Sequence, residues 1–488
     1  MSPGAHTRSA LVAGLAVLAL AACTTGTASV EDDRSRPGAA TGKNGRPQEE
    51  RPRGDTAPNP GTAESPGAGE QPDDSLPRAA DQPLVIVTHH TRGLREVSLR
   101  QARRIVQGRS RFEVASGPPM AAIRSVVRDP GVLAVVPAEA LGPRVRALRV
   151  GGVDPVRRPE RYPLRTEEAA APAPVVRVTV VGDIMLGRGV AARAETTGDP
   201  AHALRPMASR LAKADITVGN LESTLSRAGS PTQGDDSFAA DPAVVRGLRN
   251  AGFDALSLAN NHAGDFGDRA LVQTVRRLRA GGIATFGAGA NVRSAWRPAV
   301  IERDGVRFGF VGFNAIGETP AVAPGQPGAV SIGMPPRTGP LDRSALRRFE
   351  AAVRRLDRRV DVVVALPHWG TQYTNRPEPI QRQVARRLVR AGVDVVVGGH
   401  PHWLQGVTVV EGRLVAHSLG NFVFDMDFMR RTQEGAILEL TFWGEELKAA
   451  DFVPYVMDDD FAPRVVSGRR AAQVLEVMRA TSGPAHQG

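Results

Sequence analysis

Five stretches of the chain combine an almost uninterrupted hydrophobic run with a polar, metal-capable group directly after it. A run of Val with little polar alternation is typical of a strand buried on both faces. The carboxyl edge of such strands is where α/β proteins bind ligands, and Gly182 is predicted to turn the chain sharply at the end of the first strand. The five stretches are Val175–Gly187, Ile216–Glu222, Ala255–His262, Val360–Gly370 and Val393–His402. Their recurrence predicts one sheet edge around which the rest of the chain is organised.

Helical and strand patterns alternate from residue 175 onward. This alternation predicts a parallel or mixed sheet covered by helices, and hence an α/β fold. Beyond residue 403 short strands follow one another across tight turns, which predicts an antiparallel end to a domain spanning 175–460, followed by a C-terminal tail at 461–488. The predicted helices are Pro242–Ala251, Arg269–Ala280, Arg343–Leu356, Pro379–Ala391 and Gln473–Arg479, and the late strands are Leu404–Val410, Leu414–Ser418, Ala436–Phe442 and Leu447–Val456.

A smaller α/β unit is predicted over residues 81–166. Its elements are the strand Leu84–Thr88, the helix Leu99–Val106 with Ser98 as N-cap, and the strand Gly131–Pro137. Ser directly before a helical pattern is a preferred N-cap. Adjacent His89 and His90 would point to opposite faces of a strand, so we assign them to the surface or to packing rather than to one metal site. The unit resembles part of a phosphate-type periplasmic binding protein lobe, and Glu167–Pro174 is expected to be a linker.

The first 23 residues predict export. Arg8 precedes the apolar stretch Leu11–Leu20, which is too short for a stable transmembrane span. The stretch ends in Leu20-Ala21-Ala22-Cys23, which resembles a bacterial lipobox, in which the cysteine is lipidated and becomes the mature N-terminus. The alternative is an ordinary signal peptide with an incidental cysteine. Cys23 is the only cysteine of the chain, so the sequence allows neither an internal disulfide nor a thiolate metal site.

Residues 24–80 contain almost no large apolar side chain, which predicts a disordered tether. The tether holds ten acidic and seven basic side chains and so has a net charge of −3, while Arg8 adds +1. Because the whole chain has a net charge of +11, residues 81–488 have a net charge of +13. Nearly all of the positive charge is arginine, which fits either a bias toward arginine codons or selection for anion binding. Nucleic-acid binding would rest on charge alone, and export and the absence of a basic and aromatic stripe argue against it.

The polar groups after the predicted strands are of the types that bind divalent metals. Carboxylates, amide oxygens and imidazoles suit Mn, Fe or Zn. A lone histidine is more often a hydrogen-bonded structural residue, but here three of the ten histidines follow Val-rich strands. In His400-Pro401-His402 an extended backbone would aim two imidazoles at one pocket. The candidate ligands are Asp183, Glu222, Asn261, His368, His400 and His402.

The order of these groups resembles that of the calcineurin-like metallophosphoesterases and, more closely, that of the CapA family of capsule-synthesis proteins, which is associated with poly-γ-glutamate. The resemblance runs from Val175 to about Asp460. The motifs that carry it are GDIMLGR (Gly182–Arg188), GNLES (Gly219–Ser223), SLANNHAGDFG (Ser257–Gly267), HWGTQY (His368–Tyr373), GGHPHWLQ (Gly398–Gln405) and SLGNFVFD (Ser418–Asp425). It implies a metallophosphatase-like α/β/β/α sandwich that follows the small α/β N-terminal segment.

The resemblance also implies a site for one or two divalent ions. Glu222 would bridge them, at a position where the phosphoesterases use Asp. Asn261, His368 and His400 would complete one ion position, and Asp183 and His402 would help to hold the other. His262 would be the proton donor or oxyanion stabiliser, with Asp265 orienting its imidazole.

Three positions depart from the patterns of these families. Met185 stands where the phosphoesterases have a histidine, and because a thioether is a poor ligand for hard metals, the second ion position is expected to be weak. Gln372 stands where many CapA-like proteins have Glu, and Gly399 where a further histidine is common. Arg188 follows the first ligand closely, so we assign its guanidinium to a carboxylate or phosphate of the substrate; capping the following helix is the alternative. The flanking aromatic residues Trp369, Tyr373 and Trp403 are expected to be pocket walls.

Two functions remain open. The first, which we favour, is a lipid-anchored, metal-dependent hydrolase on the extracytoplasmic face of the cell membrane. It would act on a phosphoester or an anionic polymer, in capsule or poly-γ-glutamate synthesis or in the processing of envelope polymers. The second is a non-hydrolytic accessory protein that binds such a polyanion during export or anchoring, together with capsule-synthesis machinery. Met185 and Gln372 bear on the choice between hydrolase and accessory protein, because each replaces a residue of the catalytic site and so weakens the case for hydrolysis.

Overall fold

The computed structural model describes residues 80–170 and 173–486 of the 488-residue chain. The predicted signal peptide at 1–23, with Cys23, and the predicted tether up to residue 79 lie outside the described residues. Export, lipidation and the tether therefore stay predictions. Of the helices in the described part of the chain, none combines the length and the hydropathy needed to cross a membrane.

The N-terminal unit is a small sheet with two helices. Its strands are β1 (Ala80–Thr88), β2 (Glu96–Val97), β3 (Val114–Ala115), β4 (Leu133–Pro137), β5 (Arg146–Ala147), β6 (Arg149–Val150) and β7 (Arg165–Ala170), and its helices are α1 (Leu99–Val106) and α2 (Pro119–Arg128). The main sheet has the order β3-β4-β1-β5, with β7 also paired to β1. Helix α1 begins as predicted: the Ser98 hydroxyl accepts the backbone N–H of Gln101, whose side chain accepts the Ser98 N–H in return.

The segment expected to be a linker is in part a strand. β7 pairs antiparallel with β1, with Ala80 opposite Ala170 and Asp81 opposite Ala169. Ala and Glu are depleted in strands, so the sequence pattern carries no strand signal here. The segment is a strand because its backbone pairs with the start of β1, a contact that lies outside the segment itself.

The main domain alternates strands and helices as predicted. Its strands are β8 (Val175–Ile184), β9 (Ile216–Leu221), β10 (Ala255–Ser257), β11 (Ala284–Phe286), β12 (Ala288–Gly289), β13 (Ala299–Arg303), β14 (Val306–Asn314), β15 (Gly328–Ala329), β16 (Val362–His368), β17 (Val395–Val397), β18 (Val407–Val410), β19 (Arg413–Ala416), β20 (Asn421–Val423), β21 (Glu434–Trp443), β22 (Glu446–Met457) and β23 (Pro463–Val465). Its helices are α3 (Arg188–Thr197), α4 (Arg205–Leu211), α5 (Val244–Asn250), α6 (Gly267–Ala280), α7 (Val292–Ala295), α8 (Arg343–Asp357), α9 (Pro379–Arg390) and α10 (Gly468–Arg479).

Two mixed sheets form the centre of this domain. The first has the order β11-β10-β9-β8-β21-β22-β23, with β20 paired to the end of β8. Strands β8 to β11 are parallel, whereas β21 and β22 run antiparallel. The second has the order β13-β14-β16-β17-β19-β18, in which β14, β16, β17 and β19 are parallel. Within each sheet, the strands that precede the candidate ligands therefore end at the same edge.

The two sheets face each other, and helices cover their outer faces. Val178 of β8, Phe308 of β14 and Val364 of β16 meet in one core between the sheets. Val363 points to the other side of β16 and packs with residues of α8 and α9, while Ile184 packs with residues of α4, α5 and α6. Successive strand residues alternate between faces, so an unbroken Val run serves two cores at once. The α/β/β/α sandwich is confirmed.

Gly182 is needed for a close approach and not for a turn. The expected turn is wrong, because β8 continues through Gly182 to Ile184. A Cβ at Gly182 would lie 1.9 Å from the carbonyl oxygen of Gly420, whose oxygen accepts the backbone N–H of Asp183 at 3.1 Å. The missing side chain lets the segment before β20 lie directly on β8.

The C-terminal segment is part of the sandwich. Val474, Leu475 and Met478 of α10 join the core between the two sheets. Their spacing places them on one helix face, so α10 covers an open side of that core. The domain thus extends beyond residue 460, and the segment expected to be a tail contributes to its core.

Candidate metal centre

The carboxyl ends of five strands meet at one place, three from the first sheet and two from the second. None of the six candidate ligands is more than 5% exposed. Asp183 lies at the end of β8, Glu222 follows β9, Asn261 follows β10, His368 ends β16, and His400 and His402 follow β17. The structure therefore brings together the side chains that the sequence placed after separate strands.

Asp183, Glu222 and His402 form the tightest group. Each offers a ligand atom, and these atoms all lie within 4.8 Å of one another. Asp183 is held on both oxygens, since Oδ2 accepts the backbone N–H of His400 at 2.9 Å and Oδ1 accepts Nδ2 of Asn220 at 2.9 Å. Two buried carboxylates beside neutral imidazoles are a donor set suited to a divalent cation, so this group can hold a metal.

Several buried ligand atoms of the site have no hydrogen-bond partner among the described residues. They are Oε2 of Glu222 and both ring nitrogens of His400. A buried polar atom without a partner is costly, and such atoms in a native protein call for an ion or water. A bound cation would take the lone pairs of Glu222 Oε2 and of one His400 ring nitrogen, so the residues present fit a metal.

His368 and Asn261 face each other at the same site. His368 Nε2 lies 2.9 Å from Asn261 Oδ1 and 3.5 Å from Glu222 Oε1. Two ligand atoms of one ion, each about 2 Å from it, lie about 3 Å apart. Both distances from His368 Nε2 therefore suit a shared ion.

Burial sets the protonation of the site. Loss of hydration, and then the negative charge of Asp183, raise the pKa of the Glu222 carboxyl well above its ordinary value. Burial likewise lowers the pKa of His368 and His400 well below the ordinary value, and the neighbouring histidines add to the shift. The imidazoles are consequently neutral at pH 7, which is the form that binds metals.

The His-Pro-His turn has an unusual backbone. The expected extended conformation is wrong, because φ is 93° at His400 and 58° at His402. Positive φ is uncommon for residues other than glycine and costs roughly 1–3 kcal/mol at such positions. It nevertheless directs both rings to the ligand group, with ring centroids 5.7 Å apart.

His262 and Asp265 form a pair beside the ligands. His262 Nδ1 lies 3.0 Å from Asp265 Oδ2, and Nε2 lies 2.9 Å from the amide nitrogen of Asn261. The fully buried Asp265 also accepts the backbone N–H of Phe238 at 2.7 Å. The Phe238 ring stacks on His262 with centroids 4.0 Å apart. These contacts hold the imidazole in one orientation.

Two asparagines that the sequence analysis did not select connect the site. Nδ2 of Asn220 lies within 3.2 Å of Asp183, Glu222 and His368. Its Oδ1 accepts Nδ2 of Asn260 at 2.9 Å. Asn260 Oδ1 in turn accepts the backbone N–H of His262 at 3.0 Å. Both asparagines lie inside motifs already quoted, but only their packing shows that they link the ligands to His262.

His402 has its own supports. Its Nδ1 lies 2.8 Å from Asn421 Oδ1, and its Nε2 lies 3.4 Å from the amide nitrogen of Gln372. The Tyr373 ring stacks on it with centroids 6.0 Å apart. Tyr373 thus flanks the site as expected, whereas the Trp403 ring lies next to Tyr373, with centroids 6.4 Å apart. Trp369 does not flank the site: it is fully buried in the core beneath the second sheet, where its Nε1 donates to the carbonyl oxygen of His417.

Met185 and Arg188 are both engaged within the protein. The Met185 thioether is buried and lies 3.0 Å from the backbone nitrogen of Gly187. The Arg188 guanidinium binds the Asp425 carboxylate and lies 4.6 Å from the centroid of Phe238. Asp425 also accepts the backbone N–H of Gly189 at the start of α3. The helix is therefore capped by Asp425 and not by Arg188.

The chain has relatives among capsule synthesis proteins. It is 31% identical over 282 residues to the "Capsule biosynthesis protein CapA" of Bacillus anthracis, covering 57% of this chain and 66% of that protein. It is 30% identical over 270 residues to the "PGA biosynthesis protein CapA" of Bacillus subtilis, covering 54% of this chain and 67% of that protein. The chain thus spans about two thirds of the length of either relative.

A third relative is described as an accessory protein. The "Probable polyglutamine synthesis accessory protein" of Mycobacterium tuberculosis is 28% identical over 291 residues, covering 52% of this chain and 75% of that protein. The sequence model of the family "Bacterial capsule synthesis protein PGA_cap" matches residues 177–426, just over half of the 488 residues. The matched region contains all six candidate ligands, His262 and Asp265. This chain therefore belongs to the bacterial capsule synthesis protein family PGA_cap.

Proposed function

We propose that this protein is a metal-dependent hydrolase of the bacterial cell envelope that acts in capsule or poly-γ-glutamate synthesis. Its substrate would be a phosphoester or a bond of an anionic polymer, and it would act from the extracytoplasmic face of the membrane through a lipid on Cys23. The names of the Bacillus relatives support the capsule role. One observation carries the enzymatic role: in a site with unpartnered buried ligand atoms, His262 stands outside the ligand set, with its Nε2 2.9 Å from the amide nitrogen of the candidate ligand Asn261.

The ligand set would hold one or two ions of Mn, Fe or Zn. Asp183, Glu222, Asn261, His368, His400 and His402 are the residues that would hold them. When bound, a divalent ion polarises the electrophile and lowers the pKa of bound water. Because Met185 turns its thioether to the backbone of Gly187, we expect the second ion position to be the weaker one.

His262 is the residue we assign to proton transfer. With Nδ1 facing the Asp265 carboxylate, the proton on Nδ1 stays there and Nε2 is the nitrogen that exchanges protons. The buried Asp265 stabilises the imidazolium that forms when Nε2 takes up a proton. Asn261, which lies between His262 and His368, keeps Nε2 near the ligands. Asp265 is thus a positioning residue, and His262 is the catalytic one.

The test separates metal binding from proton transfer. We compare the wild-type chain with His400→Ala and His262→Ala, measuring metal content after reconstitution and cleavage of a phosphodiester and of poly-γ-glutamate. His400→Ala opens a ligand position, so metal content should fall together with activity. His262→Ala should keep its metal, while hydrolysis falls by roughly 10²–10⁴-fold.

His417→Ala serves as the matched control. His417 is also a fully buried histidine, but it stacks on Trp369 outside the ligand group. Its replacement should leave the metal content per folded chain unchanged. A wild-type chain that binds no metal after reconstitution with Mn, Fe or Zn would refute the hydrolase proposal.

The second candidate function is a non-hydrolytic accessory protein that binds the polyanion. It is favoured by the engaged Met185, by an amide rather than a carboxylate at Gln372, and by the accessory role in the name of the mycobacterial relative. Under this proposal the wild-type chain binds metal and polymer but cleaves neither substrate. Polymer affinity would then be the same in His262→Ala as in the wild type.

A further inference from the structure

A second polar cleft lies where the N-terminal unit meets the main domain. Its volume is about 340 Å³, and none of the candidate metal ligands lines it. Side chains from both parts of the chain contribute to it. The charged residues that line it are Arg95, Arg146, Arg149, Arg157 and Arg210 on the positive side and Asp154, Glu439 and Asp451 on the negative side.

The carboxylates of the cleft are already engaged. Glu439 accepts Nη2 of Arg157 at 2.7 Å and pairs with Nε of Arg210 at 2.9 Å. Asp451 lies 3.9 Å from the same Arg157 nitrogen, and Asp154 Oδ1 accepts two backbone N–H groups of its own loop. Little negative charge is left for the remaining arginines.

Arg146 has no carboxylate within hydrogen-bonding distance, although its Nη1 donates to the carbonyl oxygen of Arg92 at 3.4 Å. Its side chain is 11% exposed, and its Nε is buried without a hydrogen-bond partner among the described residues. The Asp451 carboxylate lies 3.8 Å from this nitrogen, which is beyond hydrogen-bonding distance. A buried guanidinium with an unused donor is costly unless an anion accepts from it.

Further positive charge surrounds Arg146. Burial, then the charges of Arg95 and Arg479, lower the pKa of Arg146 to about 9, although Asp451 opposes the shift. The neighbouring His486 adds no charge of either sign, since burial and Arg146 lower its pKa to about 3 and keep the imidazole neutral. Arg479 has Glu476 nearby, on its own helix. Positive charge thus exceeds negative charge in the part of the cleft that contains Arg146.

We propose that this cleft is a binding site for an oxyanion, a carboxylate or phosphate group held between Arg95 and Arg146. A guanidinium presents its donors in a planar fork that matches both groups, and such charge-assisted hydrogen bonds are the strong ones. Either a carboxylate of an acidic polymer or a free phosphate ion supplies this chemistry. The site is separate from the metal centre, so the proposal does not depend on the hydrolase function.

Calorimetric titration of the full chain tests the proposal. Inorganic phosphate, free glutamate and a γ-linked glutamate oligomer are titrated at constant ionic strength into protein from which metal has been removed with EDTA and the EDTA then removed by desalting, so that binding at the metal centre does not contribute. Arg146→Gln should weaken binding by roughly 10–100-fold, the loss expected for hydrogen bonds to a charged group. Arg95→Gln, a change at an exposed side chain that should leave folding intact, should weaken it in the same direction.

Arg413→Gln is the control for net charge. It removes one arginine from an ion pair with Asp394 on the exposed side of β19, and we expect affinity to stay within about twofold, since at an ionic strength of 0.15 M exposed charges are screened over about 8 Å. Oligomer binding that is at least tenfold tighter than glutamate binding identifies a polymer carboxylate as the ligand, and saturation by phosphate alone identifies phosphate. Absence of saturable binding to the wild type, or equal affinity in Arg146→Gln, Arg95→Gln and Arg413→Gln, would overturn the proposal.

Discussion

Replacing Gly399 by Ala should damage the metal centre through one methyl group. Gly399 precedes His400, and its backbone has no positive φ that would strain an alanine. The added Cβ, however, would lie 2.5 Å from Oδ1 of Asp183 and 3.2 Å from Nδ1 of His368. The substitution therefore tests the space at the site and not the backbone conformation.

The expected size of the effect follows from these distances. Asp183 must move by about 1 Å to reach ordinary van der Waals separation. It cannot do so freely, because Asn220 and the backbone of His400 hold its two oxygens. Displacing the supports of a metal ligand typically weakens metal affinity by roughly 10–100-fold. Overpacking in a rigid interior costs roughly 1–3 kcal/mol of the free energy of unfolding, measured without metal.

The assay combines two measurements on purified protein. Competition with a chelator of known affinity gives the metal dissociation constant, and urea unfolding in EDTA gives the free energy of unfolding. Gly483→Ala is the matched control, because a Cβ there meets only ordinary contacts, with Thr408 Cγ2 nearest at 3.6 Å. The control should change stability by less than about 0.5 kcal/mol and leave the metal bound.

One outcome would refute this reasoning. If Gly399→Ala binds metal as tightly as the wild type and with the same stoichiometry, then Asp183 is not a ligand whose position matters. A loss of stability without a loss of metal affinity would likewise show that the crowding is relieved away from the metal centre.

Three further predictions concern pH, anchoring and charge. Burial lowers the pKa of His417 from 6.5 to about 3, so between these values the unfolded chain binds one more proton than the folded one, and this histidine should lower the free energy of unfolding by roughly 1.4 kcal/mol for each unit of falling pH. In His417→Gln the urea-denaturation midpoint should therefore fall less between pH 7 and pH 5 than in the wild type, and an equal fall in both proteins would contradict the assignment. Cys23→Ser should move the protein from the membrane fraction to the soluble fraction, and retention in the membrane would place the anchor elsewhere. The Cys23→Ser chain should bind poly-γ-glutamate at low ionic strength and lose affinity as salt rises, because screening at 0.15 M shortens electrostatic attraction to about 8 Å; salt-independent affinity would exclude the +13 charge of residues 81–488 as its cause.

Local hydrophobic pattern and residue chemistry determined the framework of this protein. Unbroken Val runs require burial on both faces, and this requirement alone predicts a sheet between two layers. The capped start of α1 at Ser98 was predictable for a similar reason, since a cap depends on neighbours only a few residues away. The meeting of the six candidate ligands was predictable because parallel strands deliver their carboxyl ends to a common edge.

Contacts between distant parts of the chain decided the rest. Gly182 has to be a glycine because the carbonyl oxygen of Gly420 occupies the space of a side chain. This contact joins residues more than two hundred positions apart, so no local pattern contains it. The same holds for Asn220, whose amide joins groups from three different strands, and for Trp369, which the site motif suggested as a pocket wall and the packing places in the core. Hydrophobic periodicity reports which residues are buried, but which groups meet is set by how the two sheets and their connections pack together.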